Sequence, residues 1–121
     1  MRRLMGMWIW ILAVLLGLFF VLVGVSKLTG PSGDHWAVRL LQWGFPAGSR
    51  YLIGGVEVVA GLGLLVPFLR RPAATALTVV MAGALVTHLI HGEFIRVLPP
   101  LIFGGLSYLL YRWQSRVFQK A

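Results

Sequence analysis

The chain contains no cysteine, which removes disulfides, thiol redox chemistry, iron-sulfur ligation and thiolate metal sites together. Acidic side chains are nearly missing as well, with 3 Asp and Glu against 11 Lys and Arg. Charged residues of both signs make up only 12% of the 121 residues, too few to cover the surface of a soluble domain. What is abundant is apolar: 59% of residues are hydrophobic and the mean hydropathy is +0.87. That composition belongs to a membrane protein, and the length to one domain. The net charge of +8 does not point to nucleic acid, because the basic residues are scattered between long apolar runs instead of lying together on a polar face. Any redox role must therefore use a borrowed cofactor.

Against this background, Glu57 stands out. It sits within the run from Arg50 to Leu69, a stretch long enough to cross roughly 30 Å of hydrocarbon as a helix. A bare carboxylate there costs several kcal/mol, so Glu57 needs a partner or a proton. Residues three and four apart share a helix face, which puts Arg50, Gly54, Glu57 and Gly61 on one stripe and invites a neighbouring helix close to the acid.

Taken in order, Met1-Arg2-Arg3 precedes an apolar run from Met7 to Val25. The run is near 20 residues, longer than the about 7 to 15 of a signal-peptide core, and Val25-Ser26-Lys27 is a poor cleavage site, so it reads as a first span. Gly6, Trp10, Ala13, Gly17, Phe20, Gly24 and Lys27 recur at helical spacing along it and define its inward face. Thr29 to Gly33 breaks the helix, and Asp34 is a candidate N-cap for a short segment to Trp43 that carries Trp36, Leu40 and Trp43 on one face. That pattern suits a helix lying in the membrane interface and lidding one end. The spacing then predicts spans at about 7–28, 50–69, 72–91 and 97–113, with the interfacial helix at about 34–43. The expected fold is all-α: an integral membrane four-helix bundle, residues 1–121 forming one membrane domain.

Four spans place both termini on one side. Arg2, Arg3, Arg70, Arg71, Arg112, Arg116 and Lys120 gather there, against Lys27, Arg39, Arg50 and Arg96 on the other, so the terminal side is expected to be cytoplasmic. In that topology Lys27, Glu57 and His88 all fall toward the non-cytoplasmic face, from three different helices. Side chains lean toward their helix N-terminus, so Lys27 and His88 lean into the membrane and Glu57 leans out to meet them. Ser26 and Tyr51, with Thr87, can add hydrogen bonds. Two readings of the cluster stand open. A buried pair can neutralise itself and fix helix register, or it can build a polar pocket for a quinone headgroup, a proton or a small solute. His88 and His91 lack a third ligand for a metal, and haem would need histidines facing each other deep in the bundle.

The order of features resembles the DoxX family of small four-span bacterial membrane proteins. The resemblance runs through Gly24-Val25-Ser26-Lys27-Leu28, Gly44-Phe45-Pro46, Gly54-Gly55-Val56-Glu57-Val58-Val59-Ala60-Gly61-Leu62-Gly63-Leu64-Leu65, Arg70-Arg71-Pro72-Ala73-Ala74, and Met81-Ala82-Gly83-Ala84 leading to His88. It covers nearly the whole chain. It implies a four-helix bundle in the bacterial inner membrane and association with membrane redox systems. Relatives include subunits of an archaeal thiosulfate:quinone oxidoreductase, and others join membrane complexes with soluble oxidative-stress and sulfur-transfer enzymes. Lys27, Glu57 and His88 are the matching site positions. With no cysteine and no cofactor motif, the chain is not expected to be catalytic alone or to hold an intrinsic cofactor; the cofactor implied is a quinone.

The leading expectation is an accessory subunit of a quinone-linked or oxidative-stress assembly, with the lipid bilayer and other membrane or peripheral subunits as partners, or copies of itself, and no nucleic acid. A small solute or proton carrier is the rival, against which no repeat or paired broken helices appear. A purely structural assembly factor is the third.

Overall fold

The described chain is a succession of helices: α1 (Arg2–Leu28), α2 (Gly30–Gln42), α3 (Ser49–Leu64), α4 (Arg70–Ile90) and α5 (Leu98–Lys120). Single 3-10 turns at Pro67–Leu69 and Phe94–Val97 lead into α4 and α5. A computed structural model describes residues 2–120, with side chains over 3–116. The side chains of Arg2 and Lys120, which enter the charge argument above, lie outside those described. No strand occurs among the described residues.

Among the described residues, three segments are long and apolar enough to cross a membrane: Arg3–Leu28, Pro67–Ile90 and Phe94–Arg116. The span expected at 50–69 is shorter as a helix. α3 stops at Leu64 and so extends about 24 Å at 1.5 Å per residue. The reason is Pro67, which lacks an N–H and disfavours helical backbone in the residue before it; Val66 is accordingly extended, at φ −106° and ψ 115°. α2 begins four residues before Asp34. Pro31 falls in its first turn, where a missing N–H costs nothing, and Gly30 adopts φ +65° to redirect the chain after α1. Asp34 is therefore inside α2 and not its N-cap. α5 also outruns the span expected at about 97–113: Pro99 and Pro100 occupy its first turn, and the helix continues to Lys120.

Packing follows from where the small residues lie. α1 packs chiefly on α3 and α4 on α5, with α3 also meeting α4 and α1 meeting α5. The α1–α3 contact is made by backbone at two levels. A Cβ added at Gly17 would lie 2.8 Å from the Gly61 carbonyl oxygen, and one at Gly24 would lie 2.6 Å from that of Gly54. The reciprocal positions are as tight: a Cβ at Gly61 would meet the Gly17 oxygen at 2.9 Å and one at Gly54 the Gly24 oxygen at 2.9 Å. Only glycine lets two helices run this close. Ala13, Leu16 and Phe20 of α1 then bury against Ala60 and Leu64 of α3, Ala74, Leu77 and Met81 of α4, and Leu110 of α5. The inward seam read from the sequence holds at Ala13, Gly17, Phe20, Gly24 and Lys27. It fails at Trp10, which is 48% exposed while Ile9 takes the core position beside it.

At the end of the bundle where α4 begins, Arg70 is 2% exposed. Its Nε donates to the Leu64 carbonyl at 2.6 Å, its Nη1 to Gln114 Oε1 at 3.3 Å, and its guanidinium lies 4.3 Å from the centre of the Trp10 ring. One side chain thus touches α1, α3 and α5 from the start of α4.

Candidate functional site

At the opposite end, two helix positions converge. Lys27 is in the last turn of α1, Glu57 is at the middle of α3, and the Gly24–Gly54 contact one turn away draws the two backbones together. That close approach lets Lys27 Nζ reach Glu57 Oε1 as an ion pair and hydrogen bond. The pair is removed from solvent, with Glu57 at 0% and Lys27 at 7% exposure. Glu57 Oε2 is buried and has no hydrogen-bond partner among the described residues. A desolvated carboxylate oxygen without a donor is costly, and it marks where a ligand's donor would be most favourable.

Over this pair lies α2. The Lys27 ammonium sits 4.6 Å from the centre of the Trp36 ring. Trp36 and Trp43 lie with centroids 6.3 Å apart, and Trp43 meets the His88 ring edge-on at 5.2 Å. Beneath them are two adjoining cavities of about 240 and 460 Å³, both lined by Lys27, Trp36, Trp43, Met81, Ala84 and His88. Glu57, Phe19, Phe20 and Phe103 line the larger. Phe19 and Phe103 stack at 3.9 Å, giving the chamber an aromatic wall. A larger cavity of about 550 Å³ lies elsewhere, in an open groove along α3 and α4 lined by Tyr51, Leu52, Val59 and small residues. It has no Lys, Arg, His, Asp or Glu in its wall, so the ionisable chemistry resides in the chamber under α2 and not in this groove.

A second polar node closes the chamber's side. Glu93, in the turn between α4 and α5, accepts from Arg96 Nη1 at 3.1 Å, faces Arg39 Nη2 of α2 at 3.8 Å and bonds His88 Nδ1 at 2.9 Å. Arg39 also lies 5.1 Å from the centre of the Trp43 ring. On the other flank, Arg50 of α3 reaches Asp34 of α2 at 3.4 Å. Each of the 3 acids in the chain is thereby matched to a base from a different element or turn.

The expected site residues are therefore brought together only in part. Lys27 and Glu57 bond directly. His88 lines the same chamber, but its hydrogen bond goes to Glu93. Ser26 turns back on its own helix, donating to the Val23 carbonyl at 2.6 Å. Tyr51 is 56% exposed, accepts from Arg50 Nη2 at 2.6 Å and belongs to the apolar groove. Thr87 and His91 also bond within α4. Trp36 and Trp43, read as lying on the lid, pack over Lys27 and His88. Arg39, Glu93 and Arg96 were not singled out, although the scarcity of acids was a signal: with so few carboxylates, each one has several cations available to it.

The DoxX-like family matches residues 11–110, most of the chain. The chain belongs to the DoxX-like family. In this DoxX-like protein the matched range takes in Ser26, Lys27, Tyr51, Glu57 and His88, and the node formed by Arg39, Glu93 and Arg96. The resemblance read from the glycine, lysine and glutamate segments is borne out. Comparisons with curated proteins and with solved structures give no match.

Proposed function

We propose that this DoxX-like protein is a four-span protein of the bacterial inner membrane that serves a redox assembly as an accessory subunit, holding a quinone headgroup in the chamber under α2. The fourth crossing is α3. α1 ends at the level of the Lys27–Glu57 pair, whereas α4 begins at Arg70 beside Trp10 near the start of α1, so the chain must return across the bundle through α3. Leu65 to Leu69 continue its apolar run. α2 then lies at the non-cytoplasmic end as an interfacial lid, and both termini lie at the arginine-rich cytoplasmic end.

One observation carries the reading: a buried carboxylate with an unpartnered oxygen lines a largely aromatic and aliphatic chamber of about 460 Å³, whose other polar members are Lys27, Arg39, His88 and Arg96. A ligand suited to it has a flat ring for the Phe and Trp walls, polar atoms for Lys27 and Glu57, and an apolar tail that can remain in lipid. A quinone has these parts.

The test is copurification of tagged protein from its native membrane in mild detergent, with bound small molecules and partner proteins identified by mass spectrometry. Recovery of a quinone together with redox partners is the expected result. A ligand-free protein without partners contradicts the proposal, and substrate-dependent flux in liposomes would replace it with a carrier.

A further inference from the structure

The end of the bundle opposite the chamber holds positive charge that no acidic side chain of the protein balances. All 3 acids in the sequence are engaged at the chamber end: Glu57 with Lys27, Asp34 with Arg50, and Glu93 with His88 and Arg96. Arg70 is 2% exposed, yet the groups it meets are neutral: the Leu64 carbonyl, the Gln114 side-chain amide and the Trp10 ring. Its Nη2 is buried and has no hydrogen-bond partner among the described residues, and the same holds for Nε of Arg71, the next residue. Both guanidinium groups are directed to one face of α5. Arg70 bonds Gln114, and Arg71 lies 5.4 Å from the centre of the Tyr111 ring, three residues earlier on that helix. The positive end of the α4 dipole adds to them, with no acid in its first turn. Two like charges with buried N–H groups to spare are thus gathered where α4 meets α5, an arrangement that an anion would relieve.

We propose that Arg70 and Arg71 form a binding site for the phosphate of an anionic phospholipid headgroup. A guanidinium presents its N–H groups as a planar fork that matches two phosphate oxygens, and a phosphodiester carries only acceptors and one negative charge. Arg71 is half-buried, so the site opens to the surface on its side, and the exposed Arg3, Arg112 and Arg116 lie at the same end. Two neighbours favour a lipid over a free anion. Phe68 and Leu69, immediately before the arginines, are exposed apolar side chains that acyl chains can cover, and the partly exposed Trp10 ring on Arg70 suits the headgroup layer. Basic pockets between membrane helices are recurrent sites for anionic headgroups. The site requires that the α3 crossing bring this end to a membrane face; it is independent of what the chamber under α2 holds.

The experiment is native mass spectrometry of the full chain in mild detergent, titrated with phosphatidylglycerol, with phosphatidylcholine of the same acyl chains, and with inorganic phosphate. The expected result is that phosphatidylglycerol binds at least about tenfold tighter than phosphatidylcholine and is not displaced by inorganic phosphate. Arg71→Gln is the test variant, because Arg70 also ties four helices together and its loss endangers the fold. It is expected to lower the affinity for phosphatidylglycerol about fivefold or more, with the helical content unchanged by circular dichroism. Arg50→Gln removes the same charge at the chamber end and is expected to leave that affinity within about twofold of wild type. Equal affinity for the two lipids, or equal losses in Arg71→Gln and Arg50→Gln, overturns the proposal, since either means that diffuse surface charge attracts the lipid. Displacement by inorganic phosphate overturns it in favour of a soluble anion. A protein copurified in the lipid's place and lost in Arg71→Gln overturns it in favour of an acidic partner.

Discussion

Removing the charges of the Lys27–Glu57 pair one at a time and then together separates its structural worth from its chemical role. Breaking a buried pair by deleting one partner costs about 3–5 kcal/mol, because the surviving charge stays buried. The two single changes are not equivalent here. Lys27→Met leaves both Glu57 oxygens without a donor in a site of 0% exposure, which places it toward the top of that range. Glu57→Gln keeps an oxygen that can accept from Nζ, and the ammonium keeps the Trp36 face at 4.6 Å, a contact worth about 0.5–2 kcal/mol, so a cost of about 2–3 kcal/mol is expected. The double variant Lys27→Met, Glu57→Gln buries no charge, and its stability is expected within about 1 kcal/mol of wild type. The coupling between the sites is then about 4 kcal/mol or more, well above the additive case. The assay is reversible unfolding in mixed micelles, followed by tryptophan fluorescence and circular dichroism. Single variants within about 0.5 kcal/mol of wild type, or a double variant whose cost is the sum of the singles, would refute the reasoning, since either means that the pair is solvated or not formed.

Other positions give sharper geometric tests. Gly24→Val is expected to destabilise by about 1–3 kcal/mol, because its Cβ would sit 2.6 Å from the Gly54 oxygen and 2.7 Å from Val58 Cγ2, whereas Gly55→Ala and Gly83→Ala meet open space and should be neutral or slightly stabilising in the same unfolding assay. Arg70→Lys is expected to lower stability nearly as much as Arg70→Gln, by about 2–4 kcal/mol, since an ammonium cannot reach Leu64 and Gln114 while stacking on Trp10; recovery with lysine would show that charge alone matters. Arg39→Gln should cost the whole protein only about 0.2–1 kcal/mol while raising hydrogen exchange of residues 30–42 selectively, and added salt should do the same to wild type, because the 3.8 Å contact to Glu93 joins α2 to the α4–α5 turn.

Much of this arrangement can be read without coordinates, and the reasons differ by residue. Glu57 announced itself by its cost in an apolar run, and Lys27 by ending a seam of small residues; the periodicity that put Gly54 and Gly61 beside Glu57 is the same that brings α1 and α3 into backbone contact. The pair was thus accessible from spacing and topology alone. The end of α3 at Leu64 was also encoded, in Pro67, but an apolar run gave no reason to stop before Leu69. The start of α2 was misplaced because a Gly-Pro pair serves equally as a break and as a first turn, and choosing between them needs the tertiary path after Leu28. Trp36 and Trp43 were assigned to the membrane interface, which is where most such residues lie; that they cover Lys27 and His88 depends on the direction in which α2 folds back, which no local pattern states. The Arg39–Glu93–His88 node joins α2 to the end of α4 and the turn after it, segments far apart in sequence, and follows only from their assembly. Arg70 was taken as a topology signal, and its burial against Trp10 depends on four helices meeting at one level.

The most direct test of the central assignment is photolabelling in native membranes with an azido-substituted quinone, followed by peptide mapping. The chamber under α2 predicts labels confined to segments 19–45, 53–57 and 80–103, reduced by excess unlabelled quinone and absent in the folded Lys27→Met, Glu57→Gln double variant. Labels on the α3–α4 groove around Leu52 and Val59, or labelling unchanged in the double variant, would contradict it.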